Sequence, residues 1–311
     1  MTAPDGRKPR RSAIRNAIEF IPALIVLKSL EWAPVALAHR LARSYTRLLD
    51  RALPRLRRVA ARNLSVALPE LSEERRCEII DGVFHSIARL LVTFAKFPSI
   101  RRDNLQRWIR VEGQEHVDAA FRAGRGVLFA TAHLGNWELS AYAHALFAAP
   151  LNVIARPLDN PWIDRIVERR RALSGNRIVL KRDFARVILK ALAANEAVGI
   201  LIDQNAASDS GVFVDFFGTP ASAGTGFAKL AAHSGAAVIP GYALWSAAEN
   251  RYVLRFYAPV PITGDAARDT AALQSQLESV IREHPDQWLW IHRRWKTRPP
   301  GAPPFYESAS A

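Results

Sequence analysis

An α/β domain is what this chain predicts: a single mixed, largely parallel sheet flanked by helices, with a membrane-associating helix at its N-terminus. Three observations carry that reading. Short apolar runs alternate with longer stretches of helical periodicity. The runs are continuously hydrophobic, as strands buried on both faces are, and not alternately polar. Positive charge gathers around one apolar stretch near the start. At 311 residues and 49% hydrophobic content there is ample material for a packed core.

The basic character is local. Net charge is +14, but residues 1–62 hold 14 Lys and Arg against four Asp and Glu, which leaves only +4 on the rest. Inside that segment Phe20 to Leu30 is apolar, though Ile18 to Leu41 also contains Pro22, Lys28, Glu31 and Pro34. A signal peptide lacks support, because no clear small-residue cleavage site precedes the next basic block. A bilayer span needs about 20 predominantly apolar residues, so a tilted or shallowly inserted helix suits the stretch better. The structural alternative is an amphipathic helix packed on the body of the protein. The resulting division is a basic disordered head over 1–15, a membrane-associating helix over 16–50, a catalytic domain over 51–298 and a flexible tail over 299–311. The one cysteine, Cys77, excludes an intramolecular disulfide framework and reads as a small core residue.

Elements follow in order. Ser72 with Glu73 and Glu74 starts a helix that runs to about Phe97, with Ile79, Val83, Ile87, Leu90, Leu91 and Phe94 at helical spacing. Strands are expected at 127–132, 152–155, 177–180, 197–202, 237–245 and 252–260. Helices are expected at 113–123, 137–147, 161–173, 184–194, 227–234 and 271–283. In such folds reactive groups gather where strands end and helices begin.

The strand 127–132 ends at His133-Leu-Gly-Asn-Trp-Glu138. On a continuous helix residues five apart point about 140° away from each other, so His133 and Glu138 converge only if the histidine precedes the helix. Gly135 and Asn136 supply that break, Asn136 as N-cap with Glu138 in the first turn. A carboxylate beside an imidazole fixes its tautomer and stabilises the imidazolium, which suits a general base acting on a hydroxyl. The alternative is a strand-end histidine and a glutamate that merely favours a helix N-terminus. Metal ligation is not expected, since the segment lacks two histidines on one helical face.

Thr131-Ala-His133-Leu-Gly-Asn-Trp-Glu138 resembles the acyltransferase motif of the lysophospholipid acyltransferase superfamily, and within it the lipid A biosynthesis acyltransferases, the lauroyl and myristoyl transferases. The likeness continues in order through Ala155-Arg156-Pro157, Arg171 to Asn176, Ile200 to Gln204, Val212 to Gly218 and Trp290 to Arg298, covering nearly the whole chain. It implies a lysophospholipid acyltransferase-like αβα fold. It also implies transfer of a fatty acyl group from acyl carrier protein thioester to a hydroxyl of a lipid A precursor or similar glycolipid. His133 would be the base and Glu138 its orienting group. Arg156, Arg171, Asp203 and Asn136 would bind substrate or stabilise the oxyanion, with Asp203 holding Arg171 or Arg156.

Two of these have a structural alternative: Arg171, with Arg169 and Arg170, as part of a solvated charge run, and Asp203 as a turn cap. Gly224-Thr225-Gly226 reads as a phosphate-facing turn or simply a turn. The resemblance implies no resident cofactor, no metal and no covalent acyl-enzyme. Acyl carrier protein, an anionic lipid acceptor and a membrane surface are the expected partners, at the cytoplasmic face of a bacterial inner membrane. Arg165, Arg169, Arg170, Lys181 and Arg182 match their negative charge. A relative acting on another lipid, such as a phospholipid, an aminolipid or a phosphatidylinositol mannoside, is the second reading. A nucleic-acid binder is disfavoured, because charge and the Trp288 to Arg298 aromatics come with no recognised binding module.

Overall fold

A computed structural model describes residues 12–180 and 184–306. Residues 1–11 of the head read over 1–15, residues 307–311 of the tail read over 299–311, and Lys181 and Arg182 as anion partners lie outside the described residues, while Phe305 within the tail is buried and stacked on Trp295.

The described residues begin with three helices: α1 (Ala13–Trp32), α2 (Val35–Ala52) and α3 (Pro54–Ala67). The segment read as one helix over 16–50 is thus two. Pro34 explains the break, because a proline disfavours helical angles in the residue before it, and Ala33 is extended at φ −62°, ψ 144°. Leu53 before Pro54 is likewise non-helical. Ser12 caps α1 by accepting from the Arg15 amide, so residues 13–15 are helical and not part of a disordered head.

Next comes α4 (Glu73–Lys96), capped by Ser72 as its sequence predicts. Its last residue, Lys96, is buried and donates to the Glu31 and Ala33 carbonyls at the end of α1, supplying orphan acceptors with a cation. Arg170 completes the clamp. It lies in the run Arg169 to Arg171 yet is buried, bonding the Glu31 carboxylate and the Phe94 and Ala95 carbonyls. That run is therefore not a solvated face throughout. Glu31, awkward in an inserted helix, is instead an internal ion-pair partner.

The catalytic body alternates strands and helices: β1 (Ile109–Glu112), α5 (Gln114–Arg122), β2 (Val127–Thr131), α6 (Trp137–Phe147), β3 (Leu151–Ala155), α7 (Pro161–Ala172), β4 (Arg177–Leu180), α8 (Phe184–Ala193) and β5 (Ala197–Leu201). A hairpin of β6 (Gly211–Phe216) and β7 (Thr219–Gly224) follows, then α9 (Gly226–Ser234), β8 (Ala237–Ser246), β9 (Arg251–Phe256) and α10 (Ala266–Glu283). Seven strands form one sheet in the order β1-β9-β8-β2-β5-β3-β4, parallel at every junction except β8 with β9. The mixed, largely parallel sheet flanked by helices is as the sequence predicts.

Three features escape the sequence reading: the helix α3, the short edge strand β1 and the separate antiparallel hairpin β6–β7. On β2, Val127 and Phe129 pack on one face against Leu139 and Tyr142, while Leu128 and Ala130 pack on the other against Ile188 and Leu230. Burial on both faces is why this strand lacks alternation. Cys77 is exposed, not a core residue. Its position on α4 falls outside the buried stripe begun by Ile79, Ile80 and Val83. Trp288, Trp290 and Trp295 are fully buried, so the aromatic C-terminal segment is part of the core.

Arg170 and Glu31 join α7 to α1 largely out of water, so removing the guanidinium leaves Glu31 with Lys28 of its own helix and the Phe94 and Ala95 carbonyls without their donor. Arg170→Ala is expected to lower unfolding free energy by about 2–4 kcal/mol in chemical denaturation. It should also expose α1 to limited proteolysis.

Candidate active site

His133 follows β2 directly, in a turn fixed from several sides. Gly135 donates to the Gln287 carbonyl at 2.9 Å and Asn136 to that of Ala243 at 2.8 Å, while the His133 carbonyl accepts from Leu289 at 3.0 Å. Gly135 has φ +62°, and a Cβ there would lie 2.0 Å from the Ala243 oxygen, so only glycine fits. Asn136 is fully buried and caps α6, accepting from Leu139 and donating to Thr93 at 2.6 Å. Its expected capping role is present. Its place among substrate-binding residues is not supported, since both side-chain ends are committed inside the protein.

The partner of His133 is Asp203, not Glu138. Asp203 lies just beyond β5, the parallel neighbour of β2, and is 3% exposed. Its Oδ1 meets His133 Nδ1 at 3.0 Å, while Oδ2 accepts the His133 amide at 3.0 Å and the Trp288 indole N–H at 2.9 Å. A carboxylate at Nδ1 sets the neutral tautomer with the proton there and leaves Nε2 as the basic nitrogen. Burial opposes the imidazolium, but the attraction and hydrogen bond of Asp203, aided by the Glu138 charge, outweigh it and raise the His133 pKa. Burial also opposes the Asp203 carboxylate, yet His133 and Trp288 hold its pKa well below the ordinary value.

Glu138 stands in the first turn of α6 as predicted, but its carboxylate faces α7. Arg171 Nε donates to Oε2 at 2.9 Å and Nη2 to Oε1 at 2.5 Å, a two-pronged pair. Glu138 therefore reaches His133 only through its field. Asp203 in turn holds neither Arg171 nor Arg156, because its oxygens are taken by His133 and Trp288. Arg156 is exposed at the end of β3 and reaches Asp159 at 3.3 Å.

His133, Glu138, Arg171 and Arg156 nevertheless share one cavity, of about 910 Å³, which reaches into the core between β2, β3, β5 and α6. Its inner wall is apolar, with Phe129, Leu151, Val153 and Phe256. Gly199 on β5 sits in register between Phe129 and Val153, and a Cβ there would meet nothing within 4 Å. Gly224 and Gly226 also line the cavity, where β7 gives way to α9.

Two more histidines stand close, and neither makes a good base. His144, on the cavity wall, donates Nδ1–H to the Ala149 carbonyl, and burial pushes its pKa down to about 4. His292 accepts the Asn205 amide through Nε2 and is also lowered by burial to about 4. Sequence reasoning missed Trp288 as the third donor to Asp203; its place in the flagged aromatic segment was the available signal.

A largely parallel sheet that presents a His-x-x-x-x-Glu turn at the mouth of an apolar cavity is the arrangement of an α/β acyltransferase. The profile of the bacterial lipid A biosynthesis acyltransferases matches residues 5–297, and the chain belongs to that family. It is 32% identical to the lipid A biosynthesis lauroyltransferase of Escherichia coli K12, over 88% of this chain and 90% of that one. The palmitoleoyltransferase of the same organism is 30% identical, covering 84% and 86%. A phosphatidylinositol mannoside acyltransferase of Mycobacterium tuberculosis is 28% identical, covering 77% and 76%.

The pairing sets a titration. The His133 ring is expected to titrate by NMR with a midpoint above 6.5, and Asp203→Asn should move it downward, since burial then acts without the opposing carboxylate. An unmoved midpoint would remove Asp203 from its role. Gly135→Ala should cost about 1–3 kcal/mol of stability, read as a lowered melting temperature.

Proposed function

We propose that the protein transfers a fatty acyl group from an acyl carrier protein thioester to a hydroxyl of a lipid A precursor or similar glycolipid. The observation that carries the mechanism is the His133–Asp203 pair at the edge of an apolar cavity. Nε2 of His133 takes the hydroxyl proton as the oxygen attacks the thioester carbonyl. The C–S bond then breaks, and the imidazolium returns the proton to the leaving thiolate. Asp203 keeps Nδ1 protonated and steadies the charge formed on the ring. Arg171, fixed by Glu138, brings positive charge toward the carbonyl oxygen as it becomes an anion. The catalytic role of Glu138 thus runs through Arg171 and through its field on His133.

The apolar wall receives the acyl chain. The basic N-terminal helices meet an anionic lipid surface and the acidic carrier, at the cytoplasmic face of a bacterial inner membrane. Two features support that placement. Ile14, Ile18, Ile21 and Ile25 form an exposed apolar stripe on α1, and Trp32, Val35 and Leu37 continue it. No helix among the described residues is long and apolar enough to cross a membrane, so the stripe suits shallow insertion. The match to a phosphatidylinositol mannoside acyltransferase keeps a different glycolipid acceptor as the second reading.

Purified enzyme, acyl carrier protein thioesters and lipid A precursor make the direct assay. His133→Ala should abolish transfer in a folded protein, and Asp203→Asn should reduce kcat by about two to four orders of magnitude. Full turnover by folded His133→Ala would refute the base. Gly199→Leu, which projects into the apolar part of the cavity, should lower kcat/KM for long-chain donors by about tenfold or more and spare short ones.

A further inference from the structure

A second cavity, of about 830 Å³, shares no lining residue with the first. It is built by two helices that each present a histidine and an arginine four residues apart, one turn of one face: His39 and Arg43 on α2, His85 and Arg89 on α4. Arg107 and Arg251 add charge from the neighbouring loop and β9, and Trp245 of β8 forms part of the wall. No carboxylate lines it.

The cations are largely uncompensated. Arg251 is bound by Glu249 at 2.8 Å and by the Gln106 carbonyl. Arg43, Arg89 and Arg107 form no ion pair among the described residues. The guanidinium of Arg89 lies 4.9 Å over the Trp245 ring, and its Nη1 is buried without a hydrogen-bond partner. A buried charged donor left unmatched is costly and marks a place for an acceptor. Asp286 and Asp81 act on Arg89 and His85 only through space. Burial and the neighbouring arginines push both His39 and His85 down, which fits a pocket short of negative charge.

We infer that this cavity is a binding site for a phosphate group, distinct from the acyl-transfer cavity. Planar guanidinium groups converging on one space, one of them with a buried free edge, match the bidentate oxygens of a phosphate. Val35 lines the cavity and is itself exposed, next to exposed Trp32 and Leu37. A phosphate that carries an acyl tail would thus meet apolar side chains beside its charged end. The inference is independent of the proposed reaction, and its test reads binding, not turnover.

Calorimetric titration of the purified full chain with inorganic phosphate forms one arm. Flotation with phosphatidylcholine vesicles, with and without phosphatidic acid, forms the other. Arg89→Gln, and separately the double variant Arg43→Gln with Arg107→Gln at exposed positions that leave the core intact, should weaken binding by about tenfold or more. Arg40→Gln, on the same helix outside the cavity, should stay within about twofold in the inorganic phosphate titration. Binding in both arms assigns the phosphate group itself, and binding to vesicles alone assigns a lipid headgroup; both support the site. It is overturned if neither probe binds above plain phosphatidylcholine, or if Arg40→Gln loses as much as the double variant, which would mean diffuse surface charge.

Discussion

One buried carboxylate organises the centre of this protein. Asp203 accepts from the backbone and the ring of His133 and from the indole of Trp288, so three donors from two distant parts of the chain meet on its two oxygens. A carboxylate so far from water is tolerated only when such donors surround it. The same contacts that keep it ionised also hold His133 in one orientation and one tautomer. Placement of the ring and its proton affinity therefore share a single origin, and neither can change without the other.

Around that point the fold acts as a set of braces. β2 and β5 are adjacent and parallel, so their ends deliver His133 and Asp203 side by side. Gly135 allows the chain to pass close beneath β8, and Asn136 starts α6 while tying it back to α4. Glu138 and Arg171 form a second charged pair, across from the first, joining α6 to α7. The opposed charges lie at the edge of a cavity whose inner wall is apolar, where fewer water molecules screen them and their fields reach further.

Much of this was legible in the sequence, for identifiable reasons. α6 was placed at its observed limits because Gly135 and Asn136 punctuate the chain, and the buried strands announced themselves as unbroken apolar runs. The hairpin β6–β7 was missed because β7 is built of small residues and a proline, which carry little strand signal. The pairing of His133 was misread for a different reason. Glu138 is near in sequence, but the first turn of a helix fixes its direction, and that direction is toward Arg171. Asp203 is 70 positions away and becomes a neighbour only once two strands pair, a fact no spacing rule contains. Arg170 reads as part of a surface charge run and Glu31 as an interruption of an apolar stretch, yet the pair they form fastens α1 to the body.

The contact of Trp288 with Asp203 spans 85 positions, and the stretch around it also supports His133 and Gly135 through backbone hydrogen bonds. During synthesis, then, the sheet and most of its helices can assemble before the aspartate acquires its third donor. The ribosome must release this late segment before the histidine turn is braced, so a partly made chain would hold a nearly finished fold without a working centre. Activity that relies on the braced His133 turn would begin only after the segment around Trp288 has been made and has packed against Asp203.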